Sequence, residues 1–277
     1  MKTDKINAHN LCKIAENINM SPDFNGKIFF NEPMKAHTTF KVGGPADFFI
    51  KPFDTDSFVF AFEKISLVCH NSDEISLLIL GGGSNLVVRD GGIRGFVLST
   101  EGLQKIELFP LENDPDKMIL VAGSGCTFKS LIDYCVEKEL SGLECFAGLP
   151  GTVGGAVYMN ARCYDNSISN VLYQVQYVQQ GKLCIYSKNE SDWDYKKSPF
   201  QRKKIDQVTE EEPVIVAASF VVTKNTGKKE EINCACQHYI SDRKEKGHFK
   251  YPSAGSVFKN NHSFGQPSGK LIDDAGL

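Results

Sequence analysis

Residues 80–86 read Leu80-Gly81-Gly82-Gly83-Ser84-Asn85-Leu86, and the architecture of the chain can be worked out from this segment more than from any other. It follows an apolar run, Ile75 to Leu80, that is typical of one buried strand. Consecutive glycines let backbone N–H groups approach a phosphate, because no Cβ blocks the approach and positive φ is accessible. The segment therefore suits a pyrophosphate, although by itself it also fits a tight turn between two strands.

The residues on either side of the glycines argue against a Rossmann fold, which would place an amphipathic helix directly after them. Here the next residues predict a strand, because they are apolar and two of them are β-branched: Leu86-Val87-Val88. Before the glycines, Asp56 or Ser57 can cap a helix, whose apolar face would be Phe58, Phe62, Ile65 and Cys69. Together with a strand at Ala46 to Lys51, this predicts a strand-helix-strand unit.

A second unit begins with a predicted strand from Met118 to Ala122. A helix closed by Gly142 follows, and its apolar face is Phe128, Leu131, Ile132, Cys135 and Val136. The chain then reaches a second glycine-rich segment, Gly148-Leu149-Pro150-Gly151-Thr152-Val153-Gly154-Gly155, before a predicted strand around Val157. Two such segments fit a dinucleotide held between two subdomains. Further strands at 171–178 and 213–222 make the predicted class α+β.

Composition excludes several classes of protein. The chain has 277 residues, a formal charge of −3 and a pI near 6.1, so it has no general attraction to nucleic acid. Its nine cysteines lack a repeated CxxC and follow no signal peptide, which favours reduced thiols in the cytoplasm. Cys234 and Cys236 have no second pair, so no metal site is expected. No apolar run approaches the roughly 20 residues that cross a bilayer.

The two ends of the chain differ from its middle. Residues 1–36 are interpreted as an N-terminal lead-in with an amphipathic stretch and a polar, proline-containing passage. After residue 224 the chain becomes charged and helical, with Ile232, Cys236, Tyr239, Ile240 and Arg243 on one face. The sequence stops in what resembles the start of a helix, so the last domain is expected to be incomplete. The predicted division is 1–36, then 37–224 with subdomains of about 37–100 and 101–224, and then 225–277.

Four blocks of sequence resemble the UDP-N-acetylenolpyruvoylglucosamine reductase family, in the family's order. They are 37–46 (His37-Thr38-Thr39-Phe40-Lys41-Val42-Gly43-Gly44-Pro45-Ala46), the segment 80–86, the segment 148–160 and 251–260 (Tyr251-Pro252-Ser253-Ala254-Gly255-Ser256-Val257-Phe258-Lys259-Asn260). The resemblance implies an FAD-binding fold of the vanillyl-alcohol oxidase type, followed by a smaller α+β substrate domain. Only about one short helix separates Val222 from Arg243, so the chain resembles the form without the extra tyrosine-bearing loop.

The resemblance also implies an activity. The family uses NADPH and non-covalent FAD to reduce UDP-N-acetylglucosamine enolpyruvate to UDP-N-acetylmuramate, a cytoplasmic step of peptidoglycan precursor synthesis. Because hydride addition to the enolpyruvyl double bond leaves enolate character, a cation must hold the carboxylate and an acid must protonate the adjacent carbon. The alternatives left open are an oxidase of the same fold and a flavin-binding protein with lost activity.

Three residues are the candidate catalytic set. Ser256 matches the family's proton-donating serine. Lys196 stands where the family has an arginine that contacts the substrate carboxylate, and lysine lacks the planar fork of arginine. Arg162 stands where the family usually has glycine. The hypothesis is that Lys196 acts through a single contact or that Arg162 supplies the fork; a solvent-facing Arg162 is the alternative. The family's catalytic glutamate lies beyond the last motif and is not assigned.

The resemblance also assigns binding residues. Those expected to hold FAD are Gly81, Gly82, Gly83, Ser84, Asn85, Pro150, Gly151, Gly154, Gly155 and Asn160. Those expected to bind substrate are Tyr195, Arg243, Lys246 and Asn260. Arg243 and Lys246 match an Arg-x-x-Lys motif that suits a nucleotide diphosphate or the phosphate of NADPH; a solvated helix face is the alternative.

Overall fold

The first unit of the fold is a mixed sheet covered by two helices. The structure is a computed structural model that describes residues 8–70, 75–202 and 207–277. The strands are β1 (Gly26–Pro33), β2 (Pro45–Pro52), β3 (Ser76–Leu80) and β4 (Ile93–Ser99), and the helices are α1 (Ala8–Met20) and α2 (Thr55–His70). The sheet order is β1-β2-β4-β3. β1 and β2 are antiparallel, whereas β4 is parallel to both of its neighbours.

Aromatic side chains form the core of this unit. Phe58 and Phe62 on α2 are fully buried against the sheet, and the Phe48 ring on β2 stacks on Phe96 of β4 at 5.0 Å between centroids. Burial of one such side chain stabilises the fold by about 1.5–3 kcal/mol. This packing fixes α2 on the sheet. The strand after α2, β3, lies at the edge of the sheet and ends at Leu80, directly before Gly81.

The second unit is a six-stranded antiparallel sheet with short helices. Its strands are β5 (Ile106–Leu111), β6 (Asp114–Gly123), β7 (Leu140–Ser141), β10 (Leu172–Gln179), β11 (Lys182–Ser187) and β12 (Val214–Lys224). The main order is β11-β10-β12-β6-β5, and β7 pairs with the end of β12. A separate hairpin joins β8 (Arg162–Cys163) to β9 (Asn166–Ser167). The helices are α3 (Phe128–Glu137), α4 (Val153–Tyr158) and α5 (Ile168–Val171).

The last segment carries α6 (Lys229–Glu245) and α7 (Ser268–Asp274). α6 buries Ile232, Cys236 and Arg243 against the second unit, which confirms the predicted helical face. The predicted strands at 46–51, 75–80 and 118–122 are also confirmed, as are the two predicted helices with apolar faces in residues 58–69 and 128–136. The nine cysteines are free thiols. No helix among the described residues is long and apolar enough to cross a membrane.

Four local predictions were wrong. The lead-in contains a strand, β1, which pairs with β2 along its length. Residues 86–88 form no strand, since the chain stays irregular until β4. Val157 lies in helix α4 rather than in a strand. Helix α3 ends at Glu137, and Glu139 turns the chain with a φ of 57°, several residues before Gly142.

The cap of α2 was also predicted two or three residues too late. The helix begins at Thr55, and the carboxylate of Asp54 accepts a hydrogen bond from the Ser57 backbone N–H at 2.8 Å. The Ser57 hydroxyl instead accepts from the Asn25 N–H at 2.9 Å. Asp54, rather than Asp56 or Ser57, therefore caps the helix.

Candidate active site

Three loops from distant parts of the sequence line one cleft of about 660 Å³. We call them the glycine loop (residues 81–85), the proline loop (residues 148–155) and the serine loop (residues 253–256). The glycine loop follows β3, the proline loop leads into α4, and the serine loop follows α6. The cleft volume lies within the range of about 300–1,000 Å³ that is usual for ligand and cofactor sites.

The glycine loop and the proline loop touch through backbone atoms. A Cβ on Gly82 would lie 2.8 Å from Gly151 Cα, and a Cβ on Gly83 would lie 2.0 Å from the His37 carbonyl oxygen. Gly83 also has a φ of +61°. The Ser84 hydroxyl donates to the Pro150 carbonyl at 3.3 Å. Side chains are therefore excluded where the loops meet, and the backbone itself lines the cleft.

The polar groups at this junction fit a bound pyrophosphate. Thr152 lines the cleft, and its Oγ1 is buried without a hydrogen-bond partner among the described residues. A Cβ on Gly81 would approach that oxygen to 2.5 Å. A buried hydroxyl that lacks a partner costs about 1–3 kcal/mol. A ligand oxygen over the glycine loop would satisfy it, so the residues present fit a dinucleotide cofactor.

A tight turn brings Lys196 to the cleft. Lys196 has a φ of 53°, and its ammonium lies 5.7 Å from the centroid of the Tyr195 ring. The Gln201 side-chain amide donates to the Lys196 carbonyl at 3.0 Å. Tyr195 and Lys196 both line the cleft, so the structure brings a positive charge into the same space as the glycine loop.

Arg162 also lines the cleft but makes its polar contacts within its own hairpin. Its Nε–H donates to the Tyr164 carbonyl at 3.2 Å, and Nη2 lies 3.6 Å from the Asp165 carboxylate. The side chain is 39% exposed. The guanidinium therefore contacts its own hairpin on one side and is partly exposed to solvent.

The serine loop lies next to the end of the glycine loop. Gly255 has a φ of +82°, and a Cβ there would lie 3.4 Å from Asn85 Oδ1. Ser256 is exposed and lines the cleft. Asn260 also lines it, and its Oδ1 accepts a hydrogen bond from the Ser268 N–H at 3.0 Å.

Four of the residues predicted to bind ligands do not line the cleft: Gly151, Asn160, Arg243 and Lys246. Asn160 is buried with a φ of 41°. It donates to the Asp194 carbonyl at 2.9 Å and accepts from the Ser169 N–H at 3.1 Å. Asn160 thus supports the turn that carries Lys196.

Arg243 and Lys246 form a cluster beside the cleft around Tyr164. The Arg243 guanidinium is buried, donates from Nη2 to the Cys163 sulfur at 3.0 Å and lies 5.6 Å from the Tyr164 ring. The Lys246 ammonium contacts the Asp242 carboxylate at 2.7 Å and lies 5.4 Å from the same ring. Arg243 therefore lies on the packed side of α6 instead of the solvated face.

The pKa values of Tyr164, Asp242 and Cys163 are shifted in this cluster. Tyr164 donates its hydroxyl hydrogen bond to Asp242 at 2.8 Å. Burial, and then this bond to a carboxylate, raise the pKa of Tyr164 to about 12. Hydrogen bonds from Lys246 and Tyr164 lower the pKa of Asp242. Burial raises the pKa of the Cys163 thiol, although Arg243 opposes that shift. The Tyr164 hydroxyl is therefore a donor, which stays protonated at neutral pH.

Sequence reasoning missed Tyr164, Tyr158 and Arg202, which all line the cleft. The Arg202 side chain is only 6% exposed, and its Nε lies 3.4 Å from the Glu212 carboxylate. Its Nη2 donates to the Pro213 carbonyl at 2.9 Å, and the guanidinium carbon lies 5.5 Å from the Tyr158 ring. Burial lowers its pKa. The local sequence has many charged residues and gives no signal that one of them is buried.

The chain is similar to proteins of known family. A family model described as "FAD binding domain" matches residues 64–181. A UDP-N-acetylenolpyruvoylglucosamine reductase from Treponema denticola is 44% identical over 97% of this chain and 81% of its own length. The reductase from Treponema pallidum is 33% identical over 89% of this chain and 77% of its own length.

Solved structures give the same result for the fold. The crystal structure of UDP-N-acetylenolpyruvylglucosamine reductase from Thermus caldophilus matches with a TM-score of 0.65 and 27% identity, covering 92% of this chain and 81% of that one. A solvent-stable cholesterol oxidase matches with a TM-score of 0.53 at 15% identity, which supports the fold alone. The predicted FAD-binding fold is confirmed, and the chain belongs to the UDP-N-acetylenolpyruvoylglucosamine reductase family of FAD-dependent oxidoreductases.

Proposed function

We propose that this chain uses NADPH to reduce the enolpyruvyl group of UDP-N-acetylglucosamine enolpyruvate, giving UDP-N-acetylmuramate. FAD, when bound in the cleft, supplies two-electron redox chemistry between NADPH and the substrate. One observation carries the proposal. The glycine loop, the serine loop and Lys196 all line the same cleft, so the groups for binding a cofactor, donating a proton and holding a carboxylate meet in one place.

The glycine loop and Thr152 would hold the cofactor's pyrophosphate. Backbone N–H groups of the loop can approach phosphate oxygens closely, since the three glycines carry no Cβ. The Thr152 hydroxyl would donate the hydrogen bond that no described residue accepts. Ser84, which already bonds to the proline loop, keeps the two loops at a fixed separation.

Lys196 would hold the substrate carboxylate. Its ammonium forms no ion pair with any described residue and lies 5.7 Å from the centroid of the Tyr195 ring. Arg162, in contrast, already bonds within its hairpin. A positive charge beside the carboxylate stabilises the negative charge that develops when the double bond is reduced. We therefore assign the family arginine's role to Lys196 acting through a single contact.

Ser256 would supply the proton. Reduction of the double bond adds a hydride equivalent to one carbon and a proton to the other. The Ser256 O–H bond breaks as a C–H bond forms on the carbon that carries enolate charge. The serine is then an alkoxide, which regains a proton from water because the side chain is exposed. The exposed position thus allows repeated turnover.

Product identification tests this proposal. The FAD-loaded protein is mixed with NADPH and UDP-N-acetylglucosamine enolpyruvate under anaerobic conditions, and the masses of the products are measured by mass spectrometry. We expect NADPH consumption and a product that is heavier than the substrate by two hydrogens. NADPH consumption that needs oxygen and leaves the substrate unchanged would instead identify an oxidase of the same fold.

A further inference from the structure

We propose that Thr39 is a positioning residue that holds the serine loop against the glycine loop and so sets the place of Ser256 in the cleft. The proposal deepens the proposed function and rests on the role given there to Ser256. Thr39 itself does not line the cleft. Its influence on the reaction would therefore pass through the loop that it holds.

Thr39 contacts both loops at once. Its backbone N–H donates to the Gly83 carbonyl in the glycine loop at 3.2 Å. Its hydroxyl donates to the Ser253 carbonyl in the serine loop at 2.6 Å, and lies 3.5 Å from the Gly83 carbonyl. The shorter contact is a well-formed O–H···O hydrogen bond, whereas the longer one is at the limit of such a bond. One residue thus joins loops that are far apart in sequence.

The serine loop has few other attachments. Residues 253–256 lie outside the helices and strands and are mostly exposed. A bond within the loop, from the Gly255 N–H to the Ser253 hydroxyl at 3.1 Å, shapes its turn. Across the described ranges of the chain, the Thr39 hydroxyl makes the only hydrogen bond that ties residues 251–258 to a distant segment. Removing this hydroxyl should release the loop.

The segment that carries Thr39 is itself firmly held. The His37 ring stacks on Phe49 at 4.0 Å between centroids, and its Nε2 lies 2.9 Å from the Glu32 carboxylate. The His37 backbone N–H donates to the Met34 carbonyl at 2.9 Å. A positioning contact is useful only when its own base is rigid. Thr39 meets this condition because its neighbours anchor it to the first sheet.

The expected effect is on placement rather than on the chemistry itself. A displacement of about 1 Å at a reacting group can cost about 100-fold in rate. The serine loop lies beside the glycine loop, since a Cβ on Gly255 would lie 3.4 Å from Asn85 Oδ1. Freeing the loop should therefore slow proton donation by Ser256 while leaving cofactor binding unchanged.

Three variants test the inference. Thr39→Val keeps the β-branched shape and the backbone N–H but removes the hydroxyl. Thr39→Ser keeps the hydroxyl and should restore wild-type behaviour. Thr38→Val is the matched control, because it removes a neighbouring hydroxyl whose hydrogen bond is local. Each variant is prepared as the FAD-loaded protein and studied by hydrogen–deuterium exchange.

We expect the Gly255 amide, which donates to the Ser253 hydroxyl within the loop, to exchange about five- to tenfold faster in Thr39→Val, which corresponds to the loss of one hydrogen bond. Thr39→Ser and Thr38→Val should match the wild type at this amide. In stopped-flow experiments, bleaching of the flavin by NADPH should keep its rate in Thr39→Val. Recolouring by UDP-N-acetylglucosamine enolpyruvate should slow about tenfold or more.

The two proposals fail in different ways. Unchanged exchange of the Gly255 amide in Thr39→Val would overturn the inference, whether or not the wild type reduces the substrate. Faster exchange together with a wild-type rate of recolouring would also overturn it, since Thr39 would then hold the loop without affecting proton donation by Ser256. A wild-type protein that bleaches but never recolours would remove the proposed function and, with it, the role assigned to Ser256.

Discussion

Lys196 reaches the cleft from a backbone conformation that few long side chains adopt. Its φ of 53° lies in the left-handed region. Such a conformation persists where the surroundings determine it, and here the preceding Asp194 carbonyl is held by the buried amide of Asn160. The backbone therefore presents the Lys196 ammonium to the cleft, in place of the fork that arginine would offer.

The roles of Lys196 and Arg162 can be separated by substitution. A hydrogen bond to a charged group contributes about 1.5–3 kcal/mol, so Lys196→Met should lower kcat/KM for the enolpyruvyl substrate by about 10- to 150-fold. Lys196→Arg should keep most of the activity, since the charge remains. Arg162→Ala should stay close to the wild type, because its guanidinium already contacts its own hairpin.

Steady-state kinetics with saturating NADPH measures these effects, and the bound flavin is counted in each variant as a control. A loss in Arg162→Ala as large as that in Lys196→Met would show that Arg162 supplies the fork. Equal activity of Lys196→Met and the wild type would remove Lys196 from the carboxylate site.

Motif matching predicted several residues that line the cleft, but it did not predict the contacts that each residue makes. Ser256, Lys196 and Asn260 line the cleft, as a ligand-binding role requires. Asn160 is instead buried and bonds to backbone groups. Arg202 was missed because its burial depends on Tyr158 and Glu212, which the linear sequence does not place beside it. Contacts of this kind are decided by tertiary packing.

The glycine loop is tested by adding one methyl group. Gly83→Ala forces a Cβ to within 2.0 Å of the His37 carbonyl oxygen at a φ of +61°, so the loop must shift. We expect the variant to retain much less FAD than the wild type, by at least about tenfold. Gly91→Ala is the control, because nothing lies within 4 Å of its Cβ.

Flavin absorbance per protein, with binding titrated by fluorescence, gives the result. A Gly83→Ala protein with the wild-type flavin content would contradict the assignment of this loop to the cofactor. A comparable loss in Gly91→Ala would show that the assay reports general instability.

The N-terminal cap of α2 gives a second prediction for this unit. Asp54→Ala should lower the free energy of unfolding by about 1 kcal/mol, whereas Asp54→Asn should retain most of it. Although burial acts to raise the pKa of Asp54, hydrogen bonds from Ser57 and Asn25 lower it overall. The contribution of the carboxylate is therefore full above its ordinary pKa of 3.8 and is lost as the pH falls below that value.

Urea unfolding at about pH 7 and about pH 3.5 measures the Asp54 effect. The difference between Asp54→Ala and the wild type should shrink at the lower pH. Asp56→Ala, in the first turn of the same helix, should cost only a few tenths of a kcal/mol. A larger loss from Asp56→Ala than from Asp54→Ala would place the cap at the later residue.

Periodicity predicted long elements well and short ones poorly. Helix α3 and strand β12 have enough apolar positions for their type to be clear, and both are confirmed. The strand predicted around Val157 was wrong because α4 has only six residues, which are too few to show a helical period. Residues 86–88 resemble a strand in sequence, but the chain there turns back to the segment before β2, where the Gly44 backbone N–H donates to the Arg89 carbonyl at 3.0 Å.

The cleft belongs to the whole molecule, since its walls come from residues that lie between positions 78 and 260. The order of the four sequence blocks predicted the fold and the family through resemblance. It did not predict that β1 completes the first sheet, because this edge strand has no buried residue and so shows no clear alternation of buried and exposed positions. Nor could it predict the bond between Thr39 and Ser253, which exists only after both units have folded.

The central claim is that one cleft carries out both halves of a reductase reaction. An anaerobic double-mixing stopped-flow experiment tests it most directly: the FAD-loaded protein meets NADPH first and UDP-N-acetylglucosamine enolpyruvate second. We predict that NADPH bleaches the flavin absorbance and that the substrate restores it, with UDP-N-acetylmuramate as the product. Bleaching that the substrate does not reverse, while molecular oxygen does, would contradict the claim.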